Sequence, residues 1–162
     1  MKRYFLLLSM ILVASLAFGQ DSLPVYKRFP TVPPFKIINV GDSSFFQKSD
    51  LKKKKATLVM IFSPDCDHCQ HATRDLLANA ARFKKVQIVM AAYAPFDMVY
   101  KFYKDFGIDA QPNITMGIDQ GYFLTSFYSI KNFPSVFLYD KKGTLTGSFE
   151  KDVDFSSMDV DF

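Results

Sequence analysis

Cys66 and Cys69 are the only cysteines in the 162-residue chain. They stand in the run Phe62-Ser63-Pro64-Asp65-Cys66-Asp67-His68-Cys69. Two thiols separated by two residues can close into a local disulfide, and dithiol redox chemistry requires such a pair. The apolar residues 57–62 ahead of them read as a buried strand, and the segment behind them has helical spacing. Cys66, His68, Cys69 and His71 are also all metal-ligand types within six residues, so metal delivery or storage is a second chemistry. It ranks lower because structural zinc sites draw ligand pairs from separated segments, and side chains at i and i+2 of a helix diverge.

The elements that must position the thiols follow from periodicity and turn residues. Residues 35–40 read as a strand, Gly41-Asp42 as a turn and residues 44–46 as a returning hairpin partner. Residues 49–51 start a helical turn. Beyond the cysteines a helix is expected over 66–83, with apolar or small residues at 69, 72, 76, 77, 80 and 83. A strand follows at 86–92. Pro95 opens a second helix, which Gly107 ends. Tyr93, Pro95 and Phe96 read as core in preference to the alternative, lining a groove near the dithiol. Residues 112–117 fit no single pattern, and 122–128 suggest a short helix. Residues 135–139 form a strand, 140–143 a turn and 144–149 its antiparallel partner. Strand–helix–strand units joined to a terminal hairpin imply an α/β fold, a mixed sheet with helices on its faces.

The flanks differ in character. Lys2 and Arg3 precede a nearly all-apolar stretch from Tyr4 to Phe18, and Ala17-Phe18-Gly19 suits cleavage. Residues 1–19 therefore read as an export signal, with an uncleaved membrane anchor as its alternative fate. Residues 20–34 hold Pro24, Pro30, Pro33 and Pro34 and read as an extended arm. Residues 151–162 carry acids and read as a frayed tail or a short terminal helix. Without residues 1–19 the chain holds 18 Lys+Arg against 16 Asp+Glu, a net charge of +2. That balance gives no reason to expect nucleic acid, and the run of lysines at 52–55 reads as a solvated turn. One close cysteine pair in an exported chain points to chemistry, since disulfide scaffolds carry several cysteines at wider spacings.

The order of elements, the Cys66-Asp67-His68-Cys69 motif and the run Phe133-Pro134-Ser135-Val136-Phe137-Leu138-Tyr139-Asp140-Lys141-Lys142-Gly143 resemble the thioredoxin superfamily. The likeness is to its exported branch, similar to TlpA and the peroxiredoxin-related thioredoxins, and it covers residues 35–150 with an N-terminal β-hairpin extension. It implies a thioredoxin-like fold, Pro134 as a cis proline, and Phe133 and Pro134 as the substrate-peptide contact. It implies exchange of protein disulfides through Cys66 as nucleophile and Cys69 as resolving thiol, a membrane redox protein as electron partner, a periplasmic location and no bound cofactor. His68, Asp67 and Asp65 would tune the couple: an imidazolium favours a neighbouring thiolate, and carboxylates disfavour it. Asp65 could also cap the helix.

The chain departs from the family at several points. Pro64-Asp65 stand where Trp is common, Met60 where classical members keep a buried acid, and Ala72 where many exported members carry Glu. His71, Asp75 or water remain as proton acceptors for Cys69. Ser63, three residues before Cys66, faintly echoes a thiol peroxidase, but Val59 replaces that family's proline and no distant resolving cysteine exists. A redox-inactive binding module is the remaining alternative.

Overall fold

The computed structural model describes residues 23–160. The export signal expected at 1–19 lies outside the described residues.

Seven strands form one sheet in the order β2-β1-β5-β4-β3-β6-β7. They are β1 (Lys36–Asn39), β2 (Phe45–Gln47), β3 (Thr57–Phe62), β4 (Gln87–Ala92), β5 (Ile114–Ile118), β6 (Ser135–Tyr139) and β7 (Leu145–Glu150). Strands β3, β4 and β5 run parallel. β6 returns antiparallel to β3, and β7 to β6. The expected N-terminal hairpin is present as β1 and β2, with Ile37 opposite Phe46. β3 is buried along its whole length, which accounts for its unbroken apolar sequence.

Four helices accompany the sheet: α1 (Val25–Arg28), α2 (Asp67–Ala78), α3 (Phe96–Asp105) and α4 (Phe123–Tyr128). Alternate side chains of β3 point to opposite faces. Leu58, Met60 and Phe62 join Cys69, Leu76 and Phe102 in one core layer. Val59 and Ile61 join Tyr26, Leu124, Tyr128 and Phe137 in the other. At the centre of that second layer the Tyr128 and Tyr139 hydroxyls share a 2.7 Å hydrogen bond.

Several elements differ from the sequence expectation. The helix expected to 83 stops at Ala78, where Asn79 caps it, and Phe83 still reaches the core through a run of turns. The stretch 112–117 holds a turn at 112–113 and then β5 from Ile114. The proline-rich arm is not extended throughout, because Pro24 opens the one-turn helix α1, which buries Tyr26. The acidic C-terminal stretch neither frays nor forms a helix over its described part. Val153, Phe155 and Met158 are buried, and the Phe155 ring meets Phe83 edge-on at 5.7 Å. Arg82 donates to the carbonyls of Phe155 and Met158, both at 2.7 Å, and to that of Ser156. The stretch is a strap held against the helix that carries the cysteines. Both flanks of 35–150 thus contribute to the core.

Candidate active site

β3 delivers the chain to the C-terminal end of the parallel strands, and residues 63–66 turn it into α2. Cys66 is the N-cap of that helix, in extended conformation, with its sulfur accepting the Cys69 N–H at 3.3 Å. A helix N-terminus leaves its first N–H groups without intrahelical partners. Here one of them, the Cys69 N–H, points at the sulfur. Cys66 is half-buried, whereas Cys69, one turn on, is fully buried among Met60, Ala72 and Leu76. Burial pushes the Cys69 thiol well above the ordinary cysteine range, and the neighbouring Cys66 sulfur adds to the effect.

Across the groove, the loop between α4 and β6 brings Phe133 and Pro134 to the same place. The Phe133–Pro134 peptide is cis. The Cys66 sulfur lies 3.8 Å from the Phe133 carbonyl oxygen, so residues 67 positions apart in sequence share one site. Pro134 is buried and Phe133 half-buried. Just beyond, the Ser135 hydroxyl donates to the Asn132 carbonyl at 2.7 Å and braces the turn.

The remaining candidates divide. His68 is exposed, and its Nδ1 lies 3.6 Å from a carboxylate oxygen of Asp152. Asp152 belongs to the C-terminal strap, and no spacing in the sequence signals it. Asp67 occupies the first turn of α2. Asp65 does not cap that helix, because Cys66 holds the N-cap position; its carboxylate instead accepts the Ser63 hydroxyl. That bond turns Ser63 towards Asp65. Asp75 is committed elsewhere: one oxygen accepts the Asn79 amide at 2.9 Å and the other the Phe155 N–H at 2.8 Å. His71 is exposed, on a helix face that diverges from Cys69. Neither suits the role of proton acceptor for Cys69. Among the described residues, no three His, Cys, Asp or Glu side chains converge as metal ligands. Cys66, His68, Cys69 and His71 fan around the helix instead.

Two grooves flank the dithiol end. One, of about 630 Å³, runs between α2 and α3 and is lined by Pro64, Asp65, Arg74, Lys101 and Phe106. The other, of about 520 Å³, is lined by Tyr93, Pro95, Phe96 and Ile118. Tyr93 and Phe96 are exposed, so these residues line a groove and do not pack the core. They lie past the end of β4, where the sheet can no longer cover them.

No protein-family model matches the chain, and no curated protein matches it in sequence. Solved structures do. A secreted disulfide oxidoreductase of Mycobacterium tuberculosis, homologous to DsbE of E. coli, superposes with a TM-score of 0.60 at 21% identity, over 70% of this chain and 81% of that one. The chain has a thioredoxin-like fold. A thiol-disulfide oxidoreductase of Bacteroides fragilis gives a TM-score of 0.62 at 14% identity, over 73% of this chain and 88% of that one. DsbF of M. tuberculosis, solved in mixed oxidized and reduced forms, gives 0.64 at 18% identity, over 76% and 90%. On this thioredoxin-like frame the C-x-x-C caps the helix after β3 and the cis proline opens β6.

Proposed function

We propose that the chain is an exported thiol–disulfide oxidoreductase acting on protein substrates, with Cys66 as the nucleophile and Cys69 as the resolving thiol. The observation that carries this reading is the meeting at one groove of a helix-capping cysteine, a buried cysteine one turn on, and the Phe133 carbonyl beside the cis proline. In the reductive direction the Cys66 thiolate attacks one sulfur of a substrate disulfide. A mixed disulfide forms, and the other substrate sulfur leaves as a thiolate and takes a proton. Cys69 then loses its proton and attacks the Cys66 sulfur. The Cys66–Cys69 disulfide forms, the second substrate thiolate leaves, and two electrons have passed to the substrate. The oxidative direction is the reverse sequence. Buried Cys69 stays protonated and inert until the mixed disulfide makes the neighbouring Cys66 sulfur electrophilic. Phe133 would align an extended substrate segment through its backbone.

The apolar run at 4–18 supports export, and an exported dithiol needs a membrane redox protein to restore its working state. Cys66→Ser should abolish exchange. Cys69→Ser should leave mixed disulfides that survive to non-reducing electrophoresis and disappear with added thiol. Recovering none from cells that express the variant would falsify the mechanism. The reduction potential then decides direction. A value near about −270 mV marks a reductant and one near about −120 mV a disulfide donor.

A further inference from the structure

We propose that the pole of the molecule opposite the dithiol is a docking face for anionic phospholipid membranes. This goes beyond the redox reading and does not depend on it. The face is built from three separate segments. Lys48 belongs to the short helical turn after β2, lysines 52–55 lead into β3, and Lys141 and Lys142 form the turn between β6 and β7. They surround one open groove of about 470 Å³, floored by Thr57 and Gln87. All but Lys55 are exposed. Among the described residues, none of the seven is in an ion pair.

Two acids lie nearby, and local backbone occupies both. Asp50 accepts the Gln47 N–H at 2.9 Å. Asp140 accepts the N–H groups of Lys142 and Thr144 at 2.8 and 2.9 Å. Seven cations against two such acids leave a strongly positive surface on a chain whose net charge past residue 19 is only +2. The charge is therefore concentrated, and concentrated at one end. Thr57 floors the groove and Phe62 precedes the C-x-x-C, so the six residues of β3 separate the two poles by about 17 Å.

Two features favour a membrane over other polyanions. First, every cation of the groove is a lysine. Lys48 is tied to the fold, its Nζ donating to the Val32 carbonyl at 2.5 Å. The mobile ammonium groups of the others suit a diffuse anionic surface, whereas planar bidentate recognition of single phosphates is the work of arginine. Second, the N-terminal arm runs beside the turn at 140–143, with Leu145 N–H bonded to the Pro30 carbonyl at 2.8 Å and Val32 N–H to that of Gly143 at 3.3 Å. Phe29, the residue before Pro30 in this contact, is 58% exposed. A basic surface with an exposed aromatic side chain close by suits the headgroup boundary of a bilayer. Docked this way, the molecule holds its dithiol facing away from the bilayer.

The test uses the exported chain purified from its host, its N-terminus fixed by intact mass. Vesicles of phosphatidylcholine rich in phosphatidylglycerol are compared with phosphatidylcholine alone. We expect at least about tenfold stronger partitioning to the anionic vesicles, lost at about 1 M salt where the Debye length is ~3 Å. Joint replacement Lys52→Gln, Lys53→Gln, Lys141→Gln and Lys142→Gln touches exposed side chains only and should remove the preference while leaving disulfide exchange intact. A second readout covers a chain that keeps its apolar run: on anionic vesicles, acetylation of the groove lysines should slow while Lys101 and Lys104 stay reactive. Equal partitioning with no protection of the groove lysines overturns the proposal. So does preferential binding of duplex DNA or polyglutamate over the anionic vesicles, since the partner would then be another polyanion.

Discussion

Cys66 is half-buried and its sulfur accepts the Cys69 N–H at 3.3 Å, whereas Cys69 is buried. The asymmetry between the two thiols predicts selective alkylation. A small alkylating agent on the reduced protein near pH 8 should label Cys66 and spare Cys69, as peptide mass mapping would reveal. Denaturant should expose both, and equal labelling of the native protein would contradict the assigned roles. His68 is the second residue-level question. Read from sequence, an imidazolium here favours the dithiol form and makes the couple more oxidising. In the structure its ring faces Asp152 across 3.6 Å in an exposed setting. Exposed pairs are worth about 1 kcal/mol or less, which for a two-electron couple is about 20 mV. His68→Ala should therefore lower the reduction potential by no more than roughly 20 mV. A shift several times larger would mean that the imidazole acts directly on the sulfur.

At the scale of elements, the helix bearing the dithiol is held by a segment whose local sequence reads as a tail. Asp75, on α2, and Arg82, just past it, grip the strap from Phe155 to Met158. Arg82→Ala removes a charged donor from three carbonyls and should cost about 2 kcal/mol, seen as a lower melting temperature and faster proteolysis beyond residue 150. The dithiol potential should stay unchanged, because these contacts lie away from the sulfurs. α4 is pinned differently. The buried Asp119 carboxylate accepts the N–H groups of Phe123 and Leu124 at 3.1 and 2.7 Å. Asp119→Ala should cost about 1–2 kcal/mol by denaturant titration, and an unchanged midpoint would show that the cap contributes nothing. β5 was the element least legible in sequence. Its Gly117 lies against β1, where an added Cβ would stand 2.5 Å from the Ile38 carbonyl oxygen. The glycine that weakens the strand pattern is required by a neighbour 79 residues away.

The whole molecule is two apolar layers on one sheet, and its second layer encloses the Tyr128–Tyr139 pair. Burial raises the Tyr139 phenol to about 12 and Tyr128 well above its ordinary range. Both ionise near pH 10 in an unfolded chain. The folded state keeps them neutral where the unfolded state has lost their protons, so the stability they contribute is full below about pH 10 and falls as pH rises towards about 12. The urea midpoint should drop across that window. The double variant Tyr128→Phe and Tyr139→Phe removes both hydroxyls together and should flatten the drop. An equally steep fall in the variant would place the alkaline sensitivity elsewhere. At this scale the molecule is also polarised, with sulfur chemistry at one end of β3 and lysines at the other.

Local sequence determined the parts of this protein that depend on near neighbours. The strand 57–62 is unbrokenly apolar because both its faces are buried. The C-x-x-C marks the strand-to-helix turn, and Asp140 and Gly143 mark the hairpin. The resemblance carried by Phe133-Pro134-Ser135 supplied the cis proline and its place beside the dithiol. Tertiary structure alone decided what depends on distant packing. It set Asp152 against His68, drew Asp75 away from Cys69, laid the C-terminal strap on α2, gathered lysines from three segments into one groove and left Tyr93 and Phe96 at the surface. A side chain's partner across the fold is set by how whole elements pack, and no window of neighbouring residues encodes that.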